Sequence, residues 1–148
     1  MFGAIDGTHD IVYAACTQNG YEILRYLLDA DVPLAEIVSL SPEQADANHV
    51  AGYRSFADIA ETHDVPIYYP ETYEMRGDDV SHFESLDADL MLVMGWQRLI
   101  PDAILDTLTR GALGVHGSAY GLPKGRGRSP MNWSLIEGLD RFLHAVIK

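Results

Sequence analysis

Residues 114–133 read Gly-Val-His-Gly-Ser-Ala-Tyr-Gly-Leu-Pro-Lys-Gly-Arg-Gly-Arg-Ser-Pro-Met-Asn-Trp. This stretch brings together one imidazole, serine hydroxyls and three cationic side chains that alternate with glycines. Its first residues belong to a predicted strand, Leu113–His116, so the other polar groups follow the carboxyl end of that strand. Because open parallel sheets bind their ligands at that edge, we expect the functional site here.

The rest of the chain alternates apolar, β-branched runs with segments of helical spacing. Residues 43–52 are polar and predict a surface loop or a mobile segment. Strands that alternate with helices predict an α/β fold, in which an open, mostly parallel twisted sheet carries helices on both faces. The predicted strands are Ile11–Cys16, Ala35–Leu40, Val65–Tyr69, Asp89–Met94, Leu113–His116 and Arg141–Ile147, and the predicted helices start near Tyr21, Ser55, Ser81, Pro101 and Pro130.

Two serines are predicted to begin helices. Ser81-x-x-Glu84 resembles a capping box, which would place His82 in an exposed first turn and give it a structural rather than a chemical role. Ser129 is a suitable N-cap residue, and Pro130 a suitable first helical residue.

Composition limits the classes of protein that the chain can belong to. The chain has 148 residues and a mass of 16.4 kDa, so we expect one domain, residues 1–148. No apolar run is long enough to cross a bilayer, and residues 1–10 do not resemble a secretion signal. We therefore expect a cytoplasmic protein. A single cysteine, Cys16, excludes an internal disulfide framework. The formal net charge of -12 disfavours nucleic-acid binding through a broad basic face. It fits either a salt-adapted source or an ordinary acidic cytosolic protein.

Two further segments have a functional and a structural interpretation. Asn19-Gly20 lies between the first strand and its helix, where backbone N–H groups could bind an anion, but an ordinary turn fits equally well. Trp96 and Arg98 follow the strand Asp89–Met94 and could form a wall for a flat ligand. A tryptophan packed on the sheet edge is at least as common.

His116 is the best catalytic candidate. Near neutral pH an imidazole can accept a proton from an attacking group or polarise a carbonyl, although a histidine at a strand end is more often structural. Ser118 lacks the Gly-x-Ser-x-Gly context of a hydrolase nucleophile. His116 has no second histidine or cysteine at ligand spacing, so a metal site is not supported.

Lys124, Arg126 and Arg128 alternate with glycines in an otherwise acidic chain. Glycines let the backbone approach a ligand, while the cations can bind phosphate or carboxylate. The alternative is a solvated loop tip whose charges aid solubility, and we favour anion binding.

Three motifs carry a resemblance to a known family: His116-Gly-Ser118, Leu122-Pro-Lys124 and the segment Gly125–Trp133. Together they resemble the active-site segment of the folate-dependent formyltransferases. The resemblance implies a Rossmann-like fold and transfer of a formyl group from 10-formyltetrahydrofolate to a primary amine. The members that this segment resembles most act on amino-sugar nucleotides, which implies that the amine belongs to such a nucleotide. The alternatives are a methionyl-tRNA formyltransferase, a hydrolase that releases formate from the folate, and a non-catalytic folate- or nucleotide-binding module.

The resemblance also implies roles for single residues. His116 would act on the formyl group, and Asn19, Gly20, Ser118, Lys124 and Arg126 would contact the acceptor, a small-molecule amine. No metal is implied. The folate would bind the loop after the strand Asp89–Met94, through Gly95, Trp96, Arg98, Leu99 and Ile100.

Three departures from the family pattern affect the expected activity. Gly114 stands where the family has an asparagine that binds the oxyanion, and the loss of one such donor lowers turnover about 100- to 1,000-fold. Residues 119–121 lengthen the segment between Ser118 and Leu122. The family's aspartate lies farther downstream than Lys148, so we expect a domain that is incomplete at its C-terminal end. We also expect exposed apolar side chains on the last strand, which predict either a partner chain, such as a second copy, or poor solubility.

Overall fold

A computed structural model describes residues 10–148 of the chain. Residues 1–9, in which the sequence predicts no secretion signal, lie outside the described residues. The chain forms two compact units, residues 1–112 and residues 113–148. The single domain expected for residues 1–148 stays a prediction. Among the described residues, no helix combines the length and the apolar character needed to cross a bilayer.

The first unit contains a sheet of four parallel strands. They are β1 (Ile11–Ala14), β2 (Glu36–Val38), β3 (Ile67–Tyr68) and β4 (Leu90–Val93), and they lie in the order β3-β2-β1-β4. The chain therefore moves outward from β1 to β3 and returns to the other side of β1 with β4. This reversal is the topological switch point of a doubly wound sheet, and ligands bind such sheets at the carboxyl ends of the strands beside it.

Helices pack on both faces of these strands. The helices are α1 (Gln18–Asp29), α2 (Pro42–Ala47), α3 (Ala57–His63), α4 (Asp78–Leu86) and α5 (Asp102–Leu105). Along β1, Val12 and Ala14 pack into one apolar core, whereas Tyr13 packs into a second one. Successive side chains of a strand point to opposite faces, so β1 is covered on both sides. The predicted α/β arrangement is confirmed.

The second unit contains one helix and an antiparallel strand pair. Strand β5 (Gly111–Ser118) starts two residues before this unit and is longer than predicted. Helix α6 (Pro130–Ile136) follows, and β6 (Leu143–Ile147) pairs with β5 so that His116 faces Ala145. Of the strand pairings described within the two units, three are parallel and one is antiparallel, as a mostly parallel sheet requires. The exposed apolar side chains expected on the last strand are present, with Val146 70% exposed.

The loop predicted for residues 43–52 is wrong, because α2 occupies its first half. Ser41 Oγ accepts a hydrogen bond from the backbone N–H of Gln44 (3.2 Å), and Gln44 Oε1 accepts one from the backbone N–H of Ser41 (2.9 Å). This reciprocal capping box starts the helix with Pro42 as its first residue. This segment is polar because α2 is mostly exposed; its buried residue is Ala45.

Two predicted helix starts and one predicted capping interaction are also corrected. α1 begins at Gln18, three residues earlier than expected, because Thr17 caps it. α4 begins at Asp78, so Ser81 lies inside the helix rather than at its cap. Ser129 precedes α6 as expected, but its backbone is left-handed (φ 52°) and its side chain makes no capping hydrogen bond.

His82 makes tertiary contacts, whereas the sequence predicts an exposed position in a first helical turn. Its ring stacks on Tyr68 with centroids 3.6 Å apart, and its Nε2 lies 2.7 Å from Glu36 Oε1. Glu36 is buried at the start of β2. His82 therefore links α4 to two strands and satisfies a buried carboxyl group.

Candidate functional site

His116 lies near the carboxyl end of β5, and a loop of its own unit folds back onto it. Its Nε2 is 3.2 Å from the backbone carbonyl oxygen of Gly125. A carbonyl oxygen only accepts hydrogen bonds, so Nε2 must carry the proton in this arrangement. In the neutral ring Nδ1 is then the nitrogen with a free lone pair.

Ser118 holds the same loop from two residues farther along the strand. Its side chain is 1% exposed; Oγ donates to the carbonyl oxygen of Lys124 (2.8 Å) and accepts from the backbone N–H of Tyr120 (3.2 Å). These bonds engage its single donor, so the observed role of Ser118 is to anchor the loop. Its contact with an acceptor stays a prediction.

Gly125 is required by this close approach. Its φ is +70°, and a Cβ at this position would overlap the Ser118 hydroxyl. Any L side chain here would be strained by its backbone conformation and would displace the loop as well. The glycine thus lets the carbonyl groups of residues 124 and 125 reach Ser118 and His116.

The cations predicted to bind an anion are accessible. Lys124, Arg126 and Arg128 are exposed, and within residues 10–148 they make no ion pair. Residues 113–148 hold five Lys/Arg and two Asp/Glu, a formal net charge of +3, whereas residues 1–112 hold five Lys/Arg and 20 Asp/Glu, a net of -15. The second unit therefore has a net positive charge although the chain as a whole is acidic.

A cleft of about 160 Å³ lies within the second unit. Tyr120 closes one side by donating a hydrogen bond from its hydroxyl to Glu137 Oε2, and this bond raises the pKa of the phenol above its ordinary value. Trp133 lines the cleft although 58% of it is exposed. The walls are mostly apolar and are formed by Ser118, Ala119, Tyr120, Gly125, Gly127, Arg128, Pro130, Trp133, Ser134, Glu137 and Leu139.

The loop after β4 forms a second group of predicted site residues, in the first unit. Trp96 is 8% exposed and packs edge-on against Tyr73 with centroids 4.9 Å apart. Its Nε1 has no hydrogen-bond partner in the described part of the chain. Ile100 packs against the same core, whereas Leu99 is 93% exposed. The packing interpretation of Trp96 therefore holds, and one buried polar atom remains unsatisfied.

Tyr73, which the sequence did not single out, fixes this loop. Its hydroxyl accepts from the backbone N–H of Gln97 (3.3 Å) and lies 3.4 Å from Cys16 Sγ, and Arg98 lies over its ring, 4.6 Å from the centroid. Burial raises the pKa of both the Tyr73 phenol and the Cys16 thiol. Gly95, with φ +101°, makes the turn from β4 into this loop.

Asn19 and Gly20 lie in the first turn of α1. The Gly20 N–H is directed at Thr17 Oγ1 (3.4 Å), and its carbonyl oxygen accepts from the Tyr13 hydroxyl (2.7 Å). A Cβ on Gly20 would overlap the Met94 carbonyl oxygen. Gly20 thus serves the close approach of α1 to the end of β4, whereas Asn19 is exposed. Their contact with an acceptor anion stays a prediction.

The switch-point sheet of the first unit defines a Rossmann-like α/β protein. In each unit the candidate site residues lie at or just after the carboxyl end of a strand. Within this class the chain belongs to the formyl transferase family, whose N-terminal domain model matches residues 11–142. Individual relatives agree. Methionyl-tRNA formyltransferase of Synechococcus elongatus is 30% identical over 129 residues, which make up 86% of this chain and 39% of that protein. The corresponding enzyme of Idiomarina loihiensis is 29% identical over 128 residues, 86% and 40% of the two chains.

Solved structures agree with the fold. Phosphoribosylglycinamide formyltransferase from Anaplasma phagocytophilum superposes with a TM-score of 0.67 at 16% identity, covering 93% of this chain and 63% of that one. Formyltetrahydrofolate deformylase from Burkholderia mallei gives a TM-score of 0.58 at 16% identity, covering 95% and 55%. The chain spans about two fifths of the length of the curated relatives it matches.

Proposed function

We propose that the chain transfers a formyl group from 10-formyltetrahydrofolate to the primary amine of a small anionic acceptor, an amino-sugar nucleotide. The observation that carries the proposal is the pairing of His116 with an exposed basic loop at the carboxyl end of β5. Membership of the formyl transferase family supports the reaction class. The composition fits a cytoplasmic location for it.

The loop after β4 fits a folate. A buried indole N–H without a partner is unfavourable, by about 1–3 kcal/mol, until an acceptor reaches it, and Trp96 Nε1 is such a donor. Leu99 beside it offers a freely accessible apolar side chain. Gly95, Trp96, Arg98, Leu99 and Ile100 would hold the folate, which when bound supplies the activated formyl group.

His116 would act through its two nitrogens. The Nε2–H donates here to a backbone carbonyl, and the oxygen of a formyl group is an acceptor of the same kind. Displacement of the Gly125 carbonyl would free this donor to polarise the formyl group, while Nδ1 can accept a proton from the attacking amine. The new bond from the amine nitrogen to the formyl carbon would replace the bond from that carbon to the folate nitrogen, which would take up the proton as tetrahydrofolate leaves. Lys124 and Arg126 would hold the anionic part of the acceptor.

Gly114 limits the rate that this site can reach. It lies on β5 two residues before His116 and offers no side-chain donor to a developing oxyanion. Such a donor is worth about 100- to 1,000-fold in turnover, so slow transfer is expected.

Methionyl-tRNA is a second candidate acceptor, because the relatives described above carry that name. The net charge of -12 opposes it, since nucleic-acid affinity comes mainly from neutralised phosphates.

Mass spectrometry of reactions that contain 10-formyltetrahydrofolate and one acceptor at a time tests these alternatives. We expect formylation of a nucleotide-linked amino sugar, its loss in His116→Ala, and retention in His144→Ala, which changes an exposed histidine of β6. Formate released without any amine would indicate a hydrolase, and bound folate without product would indicate a binding module. Formylation of methionyl-tRNA alone would overturn the proposed acceptor.

A further inference from the structure

Asp79 lies in the first turn of α4, and its side chain is completely buried. Oδ1 accepts hydrogen bonds from the Tyr68 hydroxyl (2.6 Å) and from the backbone N–H of Glu71 (2.8 Å). Oδ2 accepts a third bond, from the backbone N–H of Thr72 (3.3 Å). A buried carboxylate needs such donors in place of water. Asp79 therefore connects α4 to β3 and to the segment that follows β3.

The segment that Asp79 holds, residues 69–77, joins β3 to α4 without forming a helix or a strand. Backbone N–H groups in such a segment have no regular partners, so side chains or water must supply the acceptors. The Asp79 carboxylate supplies them for two successive residues, 71 and 72. Burial, and after it the bond to Asp79, raises the pKa of the Tyr68 phenol, so this group remains a donor near neutral pH.

Tyr73, the next residue of this segment, contacts the loop after β4. Its hydroxyl accepts a hydrogen bond from the backbone N–H of Gln97 (3.3 Å), and its ring packs edge-on against Trp96 with centroids 4.9 Å apart. The Arg98 guanidinium lies 4.6 Å from the centroid of the same ring, and its Nε is 3.4 Å from Glu74 Oε1. Three successive residues of the loop thus depend on the position of one tyrosine.

We propose that Asp79 is a positioning residue for the folate loop, residues 95–100: its carboxylate fixes residues 71 and 72, which hold Tyr73 against residues 96–98. All of these residues belong to the first unit. Because Asp79 is completely buried, it acts through Tyr73 and not on a ligand. A loop that is already held loses less conformational freedom when a ligand binds, so the contact favours affinity. The inference rests on the proposed function in taking this loop as the folate site.

Tryptophan fluorescence of the full chain tests the connection without any folate. Trp133→Phe leaves Trp96 as the one tryptophan, since the chain has two. In this background we expect Asp79→Asn to move the emission to longer wavelength and to increase quenching by acrylamide. In either orientation of the new amide, its NH₂ group faces a backbone N–H, so the hold on residues 71 and 72 is lost. Asp78→Asn makes the same charge change at the exposed neighbouring position and should alter neither signal.

Calorimetric titration with 5-formyltetrahydrofolate, a stable isomer of the proposed donor, tests the effect on binding. Tyr73→Phe keeps the ring but removes the hydrogen bond to Gln97, and we expect the Kd to rise about fivefold, since such a bond contributes about 1 kcal/mol. Asp79→Asn should raise the Kd at least as much. The double variant should raise it no further, because both changes remove the same contact. Asp78→Asn is again the control, and circular dichroism confirms the fold of each variant.

Tyr68→Phe tests the same connection in case Asp79→Asn does not fold. It removes one of the three donors to the carboxylate and keeps the ring that packs on α4. We expect a smaller shift of the Trp96 emission in the same direction and a Kd raised about twofold. Tyr69→Phe, at the neighbouring exposed tyrosine, should change neither quantity.

Unchanged Trp96 emission in Asp79→Asn, or in Tyr68→Phe where the first variant does not fold, would overturn the proposal. Kd effects of Asp79→Asn and Tyr73→Phe that multiply in the double variant would also overturn it, because independent sites behave in this way. A wild-type chain that binds no folate but whose Trp96 emission responds as expected would refute the proposed function and leave the connection from Asp79 to the loop intact. Folate binding that none of these variants weakens would refute the positioning role and leave the proposed function intact.

Discussion

His116 Nε2 and the carbonyl oxygen of Gly125 are 3.2 Å apart, so the basic loop lies on the nitrogen that the proposed chemistry needs as a donor. Ser118 reinforces this position through its bond to the carbonyl of Lys124. The described state is therefore a closed one, in which the Gly125 carbonyl accepts the Nε2–H. In the proposed reaction the formyl oxygen would take the place of this carbonyl, so His116 would exchange one hydrogen-bond acceptor for another.

The glycine at position 125 should be indispensable to this closed state. Gly125→Ala introduces a Cβ that overlaps Ser118 Oγ at a φ of +70°, and we expect the free energy of unfolding to fall by about 1–3 kcal/mol. Urea unfolding followed by circular dichroism measures it. Gly127→Ala is the matched control, since its Cβ would meet nothing within 4 Å, and it should change stability by less than about 0.5 kcal/mol. Equal effects of the two variants would show that the loop does not pack on Ser118.

The Tyr120–Glu137 hydrogen bond should make stability depend on alkaline pH. Its phenol has a pKa raised above the ordinary value of 10.0, so the bond's contribution is fully present below about pH 10 and is lost as pH rises through the folded-state pKa. We expect the Tm difference between the wild type and Tyr120→Phe to be constant near neutrality and to shrink in alkali. Tyr26→Phe, at a 74% exposed position, should show no such difference. A difference that grows with pH would contradict the assignment.

Variants of Gly20 and Asn19 distinguish a packing role of this turn from an anion-binding role. Gly20→Ala forces a methyl group against the Met94 carbonyl and the Ala15 side chain, and overpacking of this kind destabilises by about 1–3 kcal/mol. Asn19→Ala, one residue away and exposed, should change stability by no more than about 0.5 kcal/mol. Thermal unfolding measures both. If Asn19→Ala leaves the fold intact yet weakens binding of an anionic acceptor, the anion interpretation of this turn regains support.

His82 should stabilise the first unit through Glu36. His82→Ala leaves the buried Glu36 carboxyl without that partner and exposes one face of Tyr68, so a loss of about 1–3 kcal/mol is expected in denaturant unfolding. His49→Ala removes an exposed histidine of the same unit and serves as the control. Comparable losses in the two variants would mean that the Glu36–His82 bond contributes nothing.

Cys16 provides a probe of the loop after β4. The thiol is fully buried, and its pKa is raised by that burial, so it should react with a thiol reagent at least about 100-fold more slowly in the native chain than in urea. Tyr73→Phe removes its 3.4 Å hydroxyl neighbour and should speed the native reaction by loosening residues 95–98. Fast native labelling of the wild type would show that this loop opens freely.

The strands and the larger helices were predictable because their side chains follow simple periods. β1 and β4 are short apolar runs, and α1 carries the buried Leu24 and Leu28 at helical spacing. α2 was missed because composition was weighed above a local signal: Ser41-x-x-Gln44 with a proline between is a capping box. The error at Ser81 has the opposite cause: a similar signature, Ser81-x-x-Glu84, predicts a helix start there but lies inside a helix.

The candidate site was predictable only where one short segment holds the chemistry. His116 and the basic loop stand within 13 residues, so their types and spacing suffice to predict a site. Tyr120 with Glu137, and Tyr73 with Cys16, join residues 17 and 57 positions apart, which no local pattern reveals. The burial of Trp96 depends likewise on Tyr73, which comes from another part of the chain.

Strand β6 offers a surface through which copies of the chain could associate. Its residues, Leu-His-Ala-Val-Ile, carry no acidic group, lysine or arginine, and in the described part of the chain they pair only with β5. An uncharged, β-branched edge is a template for strand addition by another molecule. Mutual repulsion between copies of net charge -12 opposes that encounter, and added salt weakens the repulsion. We therefore expect added salt to favour strand-paired species over separate copies of the chain.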